Sequence, residues 1–336
     1  MIILLTIRIR TITITTTPAM MEMATAIERL KERKTIEFKK LEKTDKPLFD
    51  KFYRAGYYEN AYASFTGLYM WRELGKTQWA LDEDVIYLVA EWNGKFSAFQ
   101  PIGSVDKMQS AITKVIQMFG ECGQDVKLVG LEKFFVEELA KYPDATFEIT
   151  SDRNNSDYVY LAQDLINLSG RKFHGKKNHL NQFYKDYPTA EYLPITAEII
   201  PQCREVLNQW YEVHRAENPE DVFLCYEQAA IHEIFDNFCE FNLKGGAILL
   251  GGKIVAFTFG EQLNSDTAVI HVEKADPSIR GAYTAINHDF VAQEWSAMTY
   301  INREEDMGLE GLRQAKESYR PVKMIDKFNA HLIEKG

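Results

Sequence analysis

The segment "VIYLVAEWNGKFSAF", residues 85–99, contains two runs of β-branched and aromatic residues on either side of Asn93-Gly94. Such a pair suits the positive φ angles of a tight turn, so the segment predicts a β-hairpin. Residues 247–259, "AILLGGKIVAFTF", have the same character, and the pattern Gly-Lys-x-x-Ala-Phe begins at Gly94 and again at Gly252. This recurrence indicates that the chain repeats one structural unit.

The elements that follow each hairpin recur in a similar order. A helix, a short strand and a second helix follow the first hairpin. A strand follows the second hairpin, and the same three elements come after it. The tripeptide Gly-Leu-Glu at 130–132 and at 308–310 marks corresponding places. The second tripeptide lies further from its hairpin than the first does, which predicts one added hairpin strand in the second copy. We therefore predict two similar α/β units, each with a mixed, mostly antiparallel sheet flanked by helices.

The polar stretch "SDRNNSD", which precedes the strand "YVYLA", marks the predicted boundary, with a first unit at 36–157 and a second at 158–332. The opening "MIILLTIRIRTITITTTPA" has low complexity and is followed by three closely spaced methionines. We interpret residues 1–23 as a disordered or wrongly assigned N-terminal extension. Alternating isoleucines leave an extra edge strand as the alternative.

The composition restricts the class of protein. A net charge of −10 argues against broad coating of nucleic acid, although a local basic patch can still bind phosphates, since salt screens charges beyond about 10 Å. The four cysteines form no CxxC pair and have no histidine at metal-ligand spacing, so neither a zinc site nor a disulfide framework is predicted. No apolar run approaches the roughly 20 residues of a membrane span. These features favour the cytoplasm.

Residues 168–188, "LSGRKFHGKKNHLNQFYKDYP", predict a helix that is basic on one side and aromatic on the other. Such a helix can pack by its aromatic face and bind phosphates by its basic face. The alternative is an ordinary solvated surface. His174 and His179 miss the i, i+4 spacing of paired metal ligands, so surface roles suit them better. The candidate phosphate-binding residues are Arg171, Lys172, Lys176 and Lys177.

Residues 301–321, "INREEDMGLEGLRQAKESYRP", combine a strand and a helix with a high density of charge. Glu305 and Asp306 follow the strand where it leaves the sheet, the usual place of ligand-facing groups in α/β units. Arg313 and Lys316 share a helical face and can meet a phosphate or a developing negative charge. The alternatives are helix capping by Asp306 and surface ion pairs of the two cations with neighbouring glutamates.

Three motifs together resemble the C-terminal domain family of phosphatidylglycerol lysyltransferases, namely "SGRKFHGKKNHLNQF", "ADPSIRGAYTAINHDF" and "NREEDMGLEGLRQAKESYRP". The resemblance implies two tandem acetyltransferase-like (GNAT) domains, similar in fold to the Fem-type transferases that use aminoacyl-tRNA. It also implies acyl transfer, in which a nucleophile attacks an aminoacyl ester or a thioester without a covalent enzyme intermediate.

The same resemblance places the GLRxxK pattern, here residues 311–316, close to the catalytic cleft. Residues 276–287, "DPSIRGAYTAIN", resemble the loop that binds pyrophosphate in ordinary acetyltransferases. They depart from its usual Q/R-x-x-G-x-G/A pattern, because Tyr283 stands where a glycine or alanine would let the backbone approach closely. Coenzyme A is therefore disfavoured as the donor, and aminoacyl-tRNA is favoured.

The predicted catalytic residues are Lys316, Glu305 and Asp306. The predicted substrate-binding residues are Arg313, Arg320, Arg303, Arg280, Tyr283 and Asn287. The predicted function is transfer of an aminoacyl group from aminoacyl-tRNA to an amine or hydroxyl acceptor, such as a lipid head group, a cell-wall precursor or a small molecule. An acyl-CoA-dependent N-acyltransferase and a non-catalytic binding protein with the same fold are the alternatives. No metal or tightly bound cofactor is predicted, and a lipid acceptor would place the protein at the inner membrane face.

Overall fold

The computed structural model describes residues 36–92, 94–217 and 219–335, which form two mixed sheets of seven strands each, flanked by helices. The mixed α/β class predicted from the sequence is therefore confirmed. The expectation for residues 1–23 concerns a part of the chain outside these described residues.

The strands are β1 Lys39–Lys40, β2 Gln78–Asp82, β3 Val85–Trp92, β4 Lys95–Phe99, β5 Lys127–Leu131, β6 Ala145–Ser151, β7 Asp157–Leu161, β8 Glu191–Pro194, β9 Lys244–Leu250, β10 Lys253–Gln262, β11 Thr267–Ala275, β12 Tyr300–Asn302, β13 Lys323–Ile325 and β14 Phe328–Lys335. The α-helices are α1 Lys46–Ala55, α2 Phe65–Trp71, α3 Met108–Glu121, α4 Lys133–Ala140, α5 Ala162–Asn167, α6 His174–Asp186, α7 Ile200–Glu217, α8 Val222–Asp236, α9 Ala282–Glu294 and α10 Glu310–Glu317.

The two sheets have equivalent strand orders. The first runs β1-β2-β3-β4-β5-β14-β6 and the second β8-β9-β10-β11-β12-β7-β13. In each sheet the fourth and fifth strands are parallel, whereas the other strand pairs of the described residues are antiparallel. Two helices follow the first strand of each sheet, and one helix connects the parallel pair. The predicted duplication of one α/β unit is thus present in the structure.

The hairpin pattern that first suggested this duplication falls on strands that are not equivalent. Gly94, with φ +75°, precedes β4, the fourth strand of its sheet, whereas Gly252 precedes β10, the third strand of the other. The predicted added strand in the second copy is therefore wrong, since both sheets have seven strands. By contrast, the tripeptides at 130–132 and 308–310 do lie at equivalent places, the first directly before α4 and the second at the start of α10.

The two halves of the chain exchange one strand. β7 follows β6 in sequence but pairs with β12 and β13 in the second sheet, while the last strand, β14, pairs with β5 and β6 in the first. Asp157 therefore belongs to the second sheet, and residues 328–332 belong to the first, in contrast to the boundaries predicted from the sequence. Counted as two repeats of seven strands, β1–β7 and β8–β14, each half thus completes the sheet of the other. The predicted first unit lacks β14, whereas the predicted second unit contains the whole second sheet except Asp157.

Both halves also contribute to one continuous core. The Phe65 ring of α2 lies 5.9 Å from that of Phe241 in the second half, and Tyr69 lies 5.1 Å from the same ring. Lys46 of α1 forms a buried ion pair with Glu261 of β10 at 3.1 Å. The second sheet, which carries the charged motifs, is thus supported directly by helices of the first half.

Candidate active site

The parallel strands β11 and β12 separate at one end of their pairing. They pair only from Thr267 with Tyr300 to Val269 with Asn302, after which β11 continues to Ala275 while the chain leaves β12. We call the opening that results the β11–β12 cleft. Side chains from α6, β11 and α9 and from the segments that follow β12 and α10 meet there. The residues that define the cleft are Lys176, Glu273, Asn287, Arg303 and Tyr319.

A carboxylate on β11 organises the cleft. One oxygen of Glu273 accepts a hydrogen bond from Arg303 Nη2 at 3.0 Å, and its other oxygen accepts one from Asn287 Nδ2 at 3.0 Å. The Arg303 guanidinium also lies 4.8 Å from the centre of the Tyr319 ring. An ion pair and a cation–π contact therefore hold this arginine in one orientation.

Two buried polar atoms beside Glu273 have no hydrogen-bond partner among the described residues. They are Arg303 Nη1, a donor, and Asn287 Oδ1, an acceptor. Buried polar groups are nearly always hydrogen-bonded. An unused donor and an unused acceptor on two residues that both bind Glu273 therefore indicate a place for a polar ligand or water.

Lys176 is the member of the predicted basic cluster that reaches this cleft. Its Nζ lies 3.9 Å from the centre of the Tyr319 ring, and none of the carboxylates in the described residues forms an ion pair with it. Burial and the nearby Arg303 lower the pKa of Lys176 to about 8. By contrast, Arg171, Lys172 and Lys177 are exposed, and Lys172 pairs with Asp164 at 2.9 Å.

We expect Lys176 to titrate near pH 8 instead of near its ordinary pKa of 10.5. The measurement is the pH dependence of lysine signals in the NMR spectrum of the ¹³C-methylated protein, with the signal assigned through Lys176→Arg. The matched control is Lys185→Arg, which changes an exposed lysine of the same helix and should leave the Lys176 signal in place. An early signal that survives Lys176→Arg and disappears in Lys316→Arg would assign the shift to Lys316 alone.

A pocket of about 360 Å³ opens beside the cleft. It is lined by His179 and Gln182 of α6 and by the loop and helix start between Asp276 and Thr284. Lys176 lies one helical turn from His179, and Asn287 lies one turn from Thr284. The pocket and the cleft therefore lie along the same two helices, one turn apart.

Lys316 stabilises the backbone where the chain leaves β12. Its ammonium donates hydrogen bonds to the carbonyl oxygen of Arg303 and, at 3.3 Å, to that of Glu304. Glu304 has φ +57°, a left-handed conformation that residues other than glycine rarely adopt. Burial and the nearby Arg303 lower the pKa of Lys316 to about 8. The structure thus places the predicted catalytic lysine behind Arg303, where it orients the strand exit.

Asp306 and Arg313 are paired with each other. Asp306 is fully buried and accepts hydrogen bonds from Arg313 Nε at 2.9 Å, Arg153 Nη1 at 3.1 Å and the Tyr158 hydroxyl at 2.6 Å. Burial opposes its charge, but the bonds from Arg313 and Tyr158 hold the pKa of Asp306 well below its ordinary value. A carboxylate so strongly hydrogen-bonded is a poor proton acceptor, so the geometry favours a structural role for the pair.

The other predicted residues are scattered around the cleft. Glu305 lies 3.2 Å from the Nζ of the buried Lys327. Arg280 and Arg320 are exposed. The Tyr283 hydroxyl accepts a hydrogen bond from Trp210 Nε1 at 2.8 Å, so its ring is held toward α7. Of the predicted set, only Lys176, Arg303 and Asn287 meet in the cleft.

Sequence reasoning missed two residues of the cleft, Glu273 and Tyr319. Glu273 belongs to "HVEK", three polar residues in four at 271–274 of an otherwise apolar central strand, and this interruption was an available signal. Tyr319 follows the charged helix and carries no comparable signal, because buried tyrosines are common in cores.

His271 connects the cleft to the first half of the chain. Its ring nitrogens lie 2.8 Å from a Glu304 oxygen and 3.2 Å from a Glu261 oxygen. Burial opposes its charge, but hydrogen bonds with Glu261 and Glu304 outweigh that effect and raise the pKa of His271 to about 9. The charged imidazole therefore ties the strand exit to the ion pair of Glu261 with Lys46.

Solved structures place this architecture among known folds. A conserved protein of unknown function from Bacteroides thetaiotaomicron is 36% identical, with a TM-score of 0.83 over 89% of this chain and all of that one (100%). The C-terminal domain of a putative lysylphosphatidylglycerol synthetase from Agrobacterium fabrum is 12% identical, with a TM-score of 0.57 over 79% of this chain and 87% of that one. FemX is 9% identical, with a TM-score of 0.56 over 88% and 97% of the two chains. These likenesses show that the chain shares the fold of these proteins, and the strand order shows two similar α/β units in tandem.

None of the helices in the described residues is long and apolar enough to cross a membrane. Residues 55–331 match the family described as phosphatidylglycerol lysyltransferase, C-terminal. Because this match covers most of the sequence, the chain belongs to the phosphatidylglycerol lysyltransferase C-terminal family.

Proposed function

We propose that the protein is an acyltransferase that moves an aminoacyl group from aminoacyl-tRNA to an amine or hydroxyl acceptor. The observation that carries the proposal is Arg303, whose side chain is only 12% exposed. Glu273 holds it in place, and its buried Nη1 is unused among the described residues. Acyl transfer requires a preorganised donor for the oxygen that becomes negative in the transition state. Membership of a lysyltransferase family supports an aminoacyl group as the cargo.

The reaction follows from these positions. The nitrogen or oxygen of the acceptor attacks the ester carbonyl carbon, a new C–N or C–O bond forms, and the carbonyl electron pair moves onto the oxygen. Arg303 Nη1 donates a hydrogen bond to that oxyanion. When the carbonyl reforms, the bond to the ribose oxygen of the tRNA breaks, and this oxygen leaves with a proton.

Lys176 is the group best suited to carry the proton. With a pKa of about 8, a fraction of its side chain is neutral near neutral pH, whereas an ordinary lysine remains charged. The neutral amine can accept the proton that the acceptor loses and then donate it to the leaving ribose oxygen. Glu305 and Asp306 are less suitable, because each is already paired with a cation.

The tRNA donor is favoured by crowding at the loop before α9. A Cβ on Gly281 would lie 3.0 Å from the Phe183 Cβ and 3.3 Å from the His179 carbonyl, so α6 covers part of this loop. The exposed Arg171, Lys172 and Lys177 near the start of α6 offer charges for the tRNA backbone.

The acyl-CoA-dependent alternative is supported by the pocket of about 360 Å³ next to the same loop and the N-terminus of α9. Thermal unfolding separates the two donors, since a ligand that binds only the folded state raises Tm. Stabilisation by charged tRNA in excess of uncharged tRNA supports our proposal. Stabilisation by acyl-CoA without any effect of charged tRNA contradicts it.

For Lys176→Ala we expect a fall in aminoacyl transfer of about a hundredfold, because the proton carrier is removed. The measurement is the rate at which a labelled amino acid is transferred from bulk aminoacyl-tRNA to hydroxylamine, a general amine acceptor. The rate of the uncatalysed reaction is subtracted. Lys185→Ala is the matched control on the exposed side of α6 and should retain the activity.

Equal activities of the two alanine variants would exclude Lys176 from the reaction.

For the acceptor, a lipid head group, a cell-wall precursor and a small molecule all carry a suitable amine or hydroxyl group. We propose action in the cytoplasm, at the inner membrane face if the acceptor is a lipid.

A further inference from the structure

We propose that Asn287 and Glu273 form a binding site for the free α-amino group of the donor's aminoacyl moiety. The site would make the enzyme select donors with an unmodified amine over N-acylated or simple acyl donors. This inference rests on the proposed aminoacyl transfer and adds the chemical feature by which the donor is recognised.

The orientation of the Asn287 amide is fixed by its neighbour. Its Nδ2 lies 3.0 Å from Glu273 Oε2, and only the nitrogen can donate to a carboxylate oxygen. A flipped amide would bring two acceptors together, so Oδ1 must point elsewhere. Asn287 is only 1% exposed, and its Oδ1 has no donor among the described residues. The unused group is therefore a buried acceptor that requires a donor.

A protonated amine fits this position better than a neutral donor does. It provides three N–H donors, one for Asn287 Oδ1 and another for a remaining lone pair of Glu273. Hydrogen bonds between charged partners are about twice as strong as neutral ones. Asn287 is buried and the Glu273 side chain is only 14% exposed, which strengthens an ion pair with the carboxylate further.

The position of Arg303 matches the rest of an aminoacyl ester. Arg303 and Asn287 bind the two oxygens of one carboxylate, so Arg303 Nη1 and Asn287 Oδ1 lie on either side of Glu273. In an aminoacyl ester the α-nitrogen and the carbonyl oxygen are attached to neighbouring carbons. With the amine at Asn287 and Glu273, the carbonyl oxygen can reach Arg303.

This site replaces the amine-binding carboxylates predicted from the sequence. Glu305 is engaged by Lys327 at 3.2 Å, and Asp306 is engaged by Arg313 at 2.9 Å. Of these three carboxylates, only Glu273 lies beside an unused buried acceptor in the described part of the chain. The site also lies one helical turn from the neighbouring pocket, which Thr284 lines.

The test uses stable analogues of the charged tRNA terminus, in which an amide joins the amino acid to 3′-amino-3′-deoxyadenosine. Glycyl, seryl and lysyl forms are each compared with their N-acetyl derivatives by calorimetric titration. In the unaltered protein we expect at least one free-amine form to bind about tenfold or more tightly than its N-acetyl partner. In Asn287→Leu and in the isosteric Glu273→Gln, this ratio should fall toward one.

The outcomes separate the two proposals. Equal binding of free-amine and N-acetyl forms, together with transfer from aminoacyl-tRNA, overturns the amine site but leaves the proposed function intact. If charged tRNA gives no transfer and acyl-CoA does, the proposed function fails and this inference fails with it. A preference for the free amine that persists in both variants places the amine elsewhere and overturns the assignment to Asn287 and Glu273.

Discussion

Replacing Arg303 with lysine should reduce kcat for aminoacyl transfer by about 10²- to 10³-fold, the usual loss when one oxyanion donor is removed. A lysine can retain the ion pair with Glu273, but it cannot supply the second nitrogen that Nη1 provides. The charge balance of the cleft is thus preserved while the donor is lost. The measurement is single-turnover transfer from charged tRNA to hydroxylamine.

Arg54→Lys is the control for this prediction, because Arg54 is an exposed residue of α1 that pairs only with Asp50 among the described side chains. It should transfer at the unaltered rate. If Arg303→Lys also retains full kcat and an unchanged Tm, Arg303 does not stabilise the transition state. A fall in Tm with retained kcat would identify Arg303 as a structural residue.

Replacing Lys327 with methionine should lower the free energy of unfolding by about 3–5 kcal/mol, the typical cost of leaving a buried charge without its partner. Lys327 and Asp157 are both fully buried, with their charged atoms 2.6 Å apart, and Glu305 lies 3.2 Å from the same ammonium. Burial opposes its charge, but Asp157 and Glu305 outweigh that effect and raise the pKa of Lys327. Urea unfolding measures the loss.

Lys323→Met is the matched control for the stability prediction. Lys323 also forms an ion pair, with Glu59, but both side chains are about one-third exposed, at 34% and 36%. Exposed pairs contribute about 0–1 kcal/mol, so this variant should remain close to the unaltered protein. Equal losses of unfolding free energy in the two variants would contradict the prediction that the buried Lys327 pair stabilises the fold more than the exposed Lys323 pair. The double variant Lys327→Met and Asp157→Asn removes both charges. A smaller loss of unfolding free energy in this variant than in Lys327→Met alone would confirm that the unpaired carboxylate causes the effect.

The position of Lys327 explains why its effect should be large. It lies in the short connection between β13 of the second sheet and β14 of the first, while Asp157 begins β7, the strand exchanged in the opposite direction. Its ammonium also lies 3.6 Å from the centre of the Tyr62 ring of the first half. One buried cation therefore connects both exchanged strands, and its loss should weaken both sheets.

Local patterns in the sequence predicted most individual elements. The apolar spacing from Met108 to Phe119 corresponds to the buried face of α3, and the basic segment at 168–188 contains α6. The left-handed turn at Gly94 lies in the predicted hairpin. These features depend on residues close in sequence, where periodicity and turn preference act directly.

The candidate site was predicted only in part for the same reason. Charge density led to Arg303, Lys176 and the segment around Lys316, but it could not distinguish an available cation from one that is already paired. The charge pattern predicted Asp306 and Arg313 as site residues, whereas their bonding to each other is a feature of the tertiary structure. Glu273 lies on a strand that meets Arg303 only because the parallel pair separates after Val269.

The sequence by itself determined the repeated α/β order, the helices and strands, and the family to which the charged motifs belong. Only the tertiary structure decided that β7 and β14 exchange sheets and that Glu273 joins Arg303 and Asn287 in one cleft. Strand pairing and ion pairing join residues far apart in the chain, and a local pattern cannot specify which partner is chosen. That choice depends on which arrangement buries the apolar faces and satisfies the buried charges together.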